Sequence, residues 1–148
     1  MLDWLLGKPL EAGTQAPDFT LRDQDGVTVT LSELRSKNVV LVFYPADDTT
    51  VCTKQLCEFR DTWNQAQQKN AVVFGVNPAD DATHGKFRDK YQLPFPLLID
   101  EGRRVAKLYQ TSGPGITRRT VYLIGPNGMI RYARRGKPSP EEVLAAAA

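Results

Sequence analysis

Reactive side chains are scarce in this sequence: one histidine and two cysteines among 148 residues. Two cysteines cannot supply the dense bridging of a small disulfide-stapled scaffold, and a chain of this length can bury one good core without staples. Cys52, Cys57 and His84 together fall short of the four ligands of a closed zinc site, and no carboxylate stands at a spacing that would complete it. No stretch approaches the roughly 18 apolar residues of a membrane span, so no membrane partner is expected. The apolar opening Met1-Leu2-Asp3-Trp4-Leu5-Leu6 is broken by Asp3, has no basic leader and ends too soon for a secretory signal. A charge excess is missing as well. Nineteen basic against seventeen acidic residues give a net charge of +2, too little to indicate nucleic acid without a clustered basic face. The one tight basic group, Arg131, Arg134, Arg135 and Lys137, reads as a solvated edge and loop. What remains is a single domain over 1–148, soluble, with the reducing cytoplasm as its default compartment. There, two cysteines serve catalysis, bind metal or are inert.

Apolar runs and turn signals set the order of elements. Phe19-Thr20-Leu21 and Val27 to Leu31 flank Asp25-Gly26, the signature of a tight hairpin. Val39-Val40-Leu41-Val42-Phe43-Tyr44 is apolar without alternation, as in a strand buried on both faces. Pro45 ends it. Cys52, Leu56, Phe59, Trp63 and Ala66 then follow at helical spacing. Ala71 to Val76 is a second buried strand, so this unit predicts two parallel strands joined by a right-handed crossover. Thr83 to Tyr91 reads as helix, Pro96 to Ile99 as strand and Val105 to Tyr109 as a short helix. Thr120 to Ile124 and Met129 to Tyr132 form an antiparallel pair across the turn Gly125-Pro126-Asn127-Gly128. Ser139-Pro140-Glu141-Glu142 opens a final capped helix. The expectation is an α/β thioredoxin-like fold: a central mixed sheet flanked by helices, with an N-terminal β-hairpin added. Fold alone does not assign function.

The chemistry concentrates between Tyr44 and Asp61. A thiol must be ionised to act as a nucleophile, and Cys52 stands where a central strand gives way to a helix whose first N–H groups are unpaired. Taken alone, such a cysteine also reads as a small inert hydrophobe on a helical stripe. Cys57 lies five residues on. In an intact helix that spacing amounts to about 7.5 Å along the axis, beyond disulfide reach. A resolving Cys57 therefore requires the first turns to unwind. A thioredoxin-type oxidoreductase would need two intervening residues, where four stand here. A cysteine hydrolase would need His84 as base; beside Thr83 and Gly85 in a polar stretch, His84 reads as a surface residue.

Tyr44-Pro45-Ala46-Asp47-Asp48-Thr49-Thr50-Val51-Cys52 matches the pattern Pro, three residues, Thr or Ser, two residues, Cys, and continues through Thr53 to Asp61. The chain thereby resembles the peroxiredoxins, within them the bacterioferritin comigratory protein or Prx Q subfamily, and the similarity of pattern runs from Ala16-Pro17-Asp18-Phe19 to the final helix. The resemblance implies Cys52 as the peroxidatic and Cys57 as the resolving cysteine. It implies Thr49 as hydrogen-bond partner of the thiolate and peroxide, Pro45 as a shield against water, and Arg119 as the active-site arginine. Arg119, unlike Arg118, shares strand parity with Val121 and Leu123. Two positions depart from the subfamily: Thr50 stands where Pro is usual and Gln55 where Glu is usual. The implied activity is reduction of hydroperoxides through a Cys52 sulfenic acid, closed by Cys57 as an intramolecular disulfide. A thioredoxin or similar dithiol would recycle a monomeric enzyme that needs no cofactor or metal. The competing reading is a redox sensor that uses the same two thiols without turnover.

Overall fold

A computed structural model describes residues 7–148; the apolar opening Met1 to Leu6 lies outside the described residues. The order of elements is β1 (Thr20–Arg22), β2 (Thr28–Thr30), β3 (Asn38–Phe43), α1 (Thr50–Asp61), α2 (Trp63–Gln68), β4 (Ala71–Asn77), α3 (Asp81–Tyr91) and β5 (Leu97–Ile99). Then come α4 (Arg104–Leu108), β6 (Ser112–Gly113), β7 (Ile116–Thr117), β8 (Thr120–Ile124), β9 (Ile130–Arg135) and α5 (Pro140–Leu144), with 3₁₀ turns at Leu31–Leu34 and Glu101–Arg103.

The five-stranded sheet runs β5-β4-β3-β8-β9, parallel through β3, β4 and β5 and antiparallel through β3, β8 and β9. This is the expected mixed sheet. All six residues of β3 are buried, because alternate side chains feed two separate cores. Val40 and Val42 join Cys52, Leu56, Phe59, Val121 and Leu123 on one face, while Val39, Leu41 and Phe43 join Tyr109, Tyr122 and Ile124 on the other. Gly75 in β4 shows how tightly the first face is packed. A Cβ there would stand 2.7 Å from Leu97, 3.0 Å from Tyr44 and 3.1 Å from Leu56, so a larger residue would force these three side chains to shift.

The opening hairpin forms as expected, with Gly26 at φ 79° and the Asp23 carboxylate accepting from the N–H groups of Asp25 and Val27 at 2.8 and 3.0 Å. The final helix carries its cap too: Ser139 accepts from Glu142 N–H at 3.1 Å. Three details differ from expectation. The helix through Cys52 is two helices, parted at Thr62, whose hydroxyl donates to the Glu58 carbonyl at 3.0 Å; such back-bonding bends a helix. A small hairpin, β6 with β7, carries no apolar alternation long enough to announce it. His84 is fully buried rather than on the surface. It lies with Phe87 and Tyr91 at spacings of three and four residues on the inner side of α3, so the helical period prevails over its polar neighbours.

Among the described residues no helix is long and apolar enough to cross a membrane. The basic group is engaged internally. Arg134 pairs with Glu142 at 2.7 Å, Lys137 with Glu58 at 2.8 Å, and Arg131 donates to the Ala146 carbonyl at 2.7 Å.

Candidate active site

β3 delivers Tyr44 to the carboxyl edge of the parallel strands, the edge at which ligands bind in α/β sheets. Pro45 cannot continue the ladder, and the chain turns through Pro45–Thr49 into α1. Thr49 is the N-cap residue of α1, in extended conformation, but its side chain caps nothing; the hydroxyl donates to the Ala46 carbonyl at 3.3 Å. The orphan N–H groups of the first turn are thus left without the side-chain acceptor that an N-cap threonine usually offers. Cys52 lies in that turn and is 1% exposed.

On the other side of β3, Phe43 pairs with Thr120 of antiparallel β8, so Arg119 stands beside the end of β3. Its guanidinium donates from Nη2 to Cys52 Sγ at 3.2 Å and from Nη1 to Gln55 Oε1 at 2.8 Å. Gln55 is buried in turn and donates to the Gly136 carbonyl at 3.4 Å. Arg118 points elsewhere: its side chain packs against Gly7 and Gly113. The structure therefore gathers Cys52, Arg119 and Gln55 at one point, with Thr49 and Pro45 on the loop entering it. Cationic donation of this kind favours a thiolate over a thiol.

Cys57 follows on the same intact helix, half-buried against the cluster that holds Cys52. Both thiols are free. Burial pushes the Cys57 thiol above its ordinary value; nearby Arg60 opposes this and Asp61 adds to it. No group of three or more potential metal ligands is present among the described residues.

Sequence reasoning missed the supports of the loop. Tyr44 donates from its hydroxyl to Asp47 at 2.6 Å, Asn77 donates to the same oxygen at 3.0 Å, and His84 meets the other carboxylate oxygen at 2.6 Å. Burial, with the Asp47 carboxylate adding to it, holds the Tyr44 phenol well above its usual value, so it remains a donor. The buried stripe of α3 is the signal that would have placed His84 here.

Residues 12–133 match the AhpC/TSA family model. The chain belongs to that family, among the peroxiredoxins. It is 43% identical over 136 residues to the chloroplastic peroxiredoxin Q of Oryza sativa subsp. japonica, covering 88% of this chain and 61% of that one. With the chloroplastic peroxiredoxin Q of Arabidopsis thaliana it shares 40% identity over 144 residues, 95% of this chain and 67% of the relative. The chain thus spans about three-fifths of the length of several curated relatives. Among solved structures, peroxidoxin BcpB of Mycobacterium tuberculosis superposes with a TM-score of 0.86 at 29% identity, over 93% of this chain and 96% of that one. Peroxiredoxin Q of Xanthomonas campestris shares the fold with a TM-score of 0.84 at 24% identity, over 91% and 95% of the two chains. The expected thioredoxin-like fold and Prx Q resemblance hold.

Proposed function

We propose that this peroxiredoxin is a thiol-dependent peroxidase in which Cys52 is the nucleophile and Cys57 the resolving thiol. The observation that carries the reading is the Arg119 guanidinium 3.2 Å from a buried Cys52 sulfur in the first turn of α1. The Cys52 thiolate attacks one oxygen of a hydroperoxide; an S–O bond forms, the O–O bond breaks, and the departing oxygen leaves with the electron pair and takes up a proton. Charge thus moves from sulfur to the leaving oxygen, and donors fixed around that path lower the barrier most. Arg119 and the free N–H groups of the first turn are the donors within the site, and the Thr49 hydroxyl joins them on turning from the Ala46 carbonyl, to which it donates at 3.3 Å.

The product is a sulfenic acid at Cys52. Cys57 attacks its sulfur, forming the disulfide and releasing water, after α1 unwinds enough to bring the two sulfurs together. A thioredoxin-type dithiol then reduces the bridge and is itself oxidised. The proposed setting is a monomer in a reducing compartment, the cytoplasm.

The test is hydroperoxide consumption by the purified chain with thioredoxin, thioredoxin reductase and NADPH. Sustained NADPH oxidation that depends on the chain is the expected result. Oxidation of one equivalent with no turnover would instead identify a redox sensor.

A further inference from the structure

The chain's single histidine and the aspartate at the centre of the catalytic loop take part in no step above, yet both are sealed from water, with side chains 0% and 1% exposed. Oδ1 of Asp47 accepts from Tyr44 and Asn77, and Oδ2 faces His84 Nδ1 at 2.6 Å. The second ring nitrogen, Nε2, lies 2.9 Å from the Leu98 carbonyl oxygen. A carbonyl only accepts, so Nε2 carries a hydrogen, and one further proton lies between Nδ1 and the carboxylate. Every polar atom of the group is matched, the condition under which a buried network rigidifies its surroundings. Tyr44 follows β3, Asn77 ends β4 and Leu98 lies in β5, so the carboxylate ties the loop to β3 and β4 directly and to β5 through His84. Its neighbour Asp48 holds a left-handed φ of 55° and accepts from Lys90 at 2.9 Å and Tyr91 at 2.7 Å, at the far end of α3.

We propose, resting on the peroxidase reading above, that Asp47 and His84 are positioning residues for peroxide reduction. The pair holds the Pro45–Thr49 backbone where it sets Thr49, the first turn of α1 and Cys52 around an incoming hydroperoxide. Neither residue bonds to the sulfur; both act through the loop. Displacement of a reacting group by 1 Å can cost about 100-fold in rate.

Two reagents separate positioning from general damage. A hydroperoxide needs both the thiolate and the shaped pocket, whereas iodoacetamide needs the thiolate alone. Asp47→Ala should slow Cys52 oxidation by hydrogen peroxide about 100-fold, with alkylation by iodoacetamide changed far less. Asp47→Asn should stay near the wild-type peroxide rate, because its carbonyl accepts from Tyr44 and Asn77 and its amide donates to a neutral imidazole. His84→Asn keeps a donor near the Nδ1 position and loses the Leu98 bond; His84→Gln keeps one near Nε2 and loses the Asp47 bond. The Asn variant should react fast with peroxide and the Gln variant slowly, at similar thermal stability. Equal peroxide rates in these two, or an Asp47→Ala variant slowed equally toward both reagents, would overturn the assignment. If Asp47→Ala does not fold, the two His84 variants decide. A wild-type chain inert to hydroperoxide removes the peroxidase reading and the positioning role with it, a result distinct from any difference among variants.

Discussion

The two thiols of α1 stand five residues apart on one helix and meet opposite surroundings. Cys52, in the first turn, is almost wholly buried, receives a guanidinium hydrogen bond at 3.2 Å and lies beside unpaired helix N–H groups. Cys57, in the third turn, is more exposed, packs against apolar side chains, and has its thiol pushed up by burial. The more hidden sulfur is the one that faces a cationic hydrogen-bond donor. Neighbours, not exposure, separate the two thiols, because a thiolate needs donors around it whereas a thiol in an apolar setting is harder to ionise.

The largest effects should come from erasing either side of this contrast. Cys52→Ser should reduce peroxidase turnover to background. Cys57→Ser should consume about one equivalent of hydroperoxide and leave a sulfenic acid at Cys52 that dimedone traps, since resolution follows attack. Dimedone on Cys57 in the wild-type chain would reverse the roles. The raised Cys57 value gives the contrast a pH axis as well. Burial disfavours the charged form, so in Cys52→Ser the iodoacetamide reactivity of Cys57 should climb with pH at a higher midpoint in the folded chain than in urea. Coincident midpoints would show that burial does not govern Cys57.

Next in size is the pair of adjacent arginines. Arg119→Met should cut the second-order rate of Cys52 oxidation by about 100-fold, the cost of losing one fixed donor at the reacting atoms. Arg118→Met should change it little, since that side chain packs against Gly7 and Gly113 on another part of the surface. Stopped-flow oxidation of both variants is the measurement. A larger loss in Arg118→Met would refute the placement.

A third expectation concerns how the two surroundings are brought together. The reduced helix keeps the sulfurs apart, so disulfide formation should speed amide exchange through Thr50–Asp61 while Asn38–Phe43 stays protected. Equal protection in the bridged form would mean that the helix need not unwind. Much of this arrangement was legible in the sequence, because local rules governed it. The apolar run of β3, the Asp25-Gly26 turn, the Ser139 cap and the helical stripe through Cys52 each depend on neighbours a few residues away. The parity of Arg119 with Val121 and Leu123 was legible for the same reason. What escaped was long-range pairing between polar residues: Asp47 with His84 across 37 positions, and Asn77 with Asp47 across 30. Polar side chains in polar stretches look solvent-facing until the fold buries them together. The break at Thr62 escaped for a different reason, since the apolar stripe runs on through it into α2.

The smallest effect expected is also the most specific to this chain, and it lies in the single side chain between the two thiols that touches Arg119. Gln55 accepts from Nη1 at 2.8 Å while Nη2 reaches the Cys52 sulfur, so the guanidinium meets a neutral amide on one side and the thiol on the other. No carboxylate pairs with Arg119 among the described residues. A carboxylate at position 55 would draw the cation toward itself, and in a buried site two charges this close interact strongly. It would also face the Gly136 carbonyl, to which Gln55 now donates. Gln55→Glu should therefore slow peroxide oxidation several-fold and move the iodoacetamide midpoint of Cys52 upward. Gln55→Met removes both hydrogen bonds without adding charge, so it should leave that midpoint close to its starting position. If the Glu and Met variants shift the midpoint alike, the amide acts by holding Arg119 in place and its neutrality is incidental. If only Glu shifts it, the undivided charge of Arg119 is what separates Cys52 from Cys57.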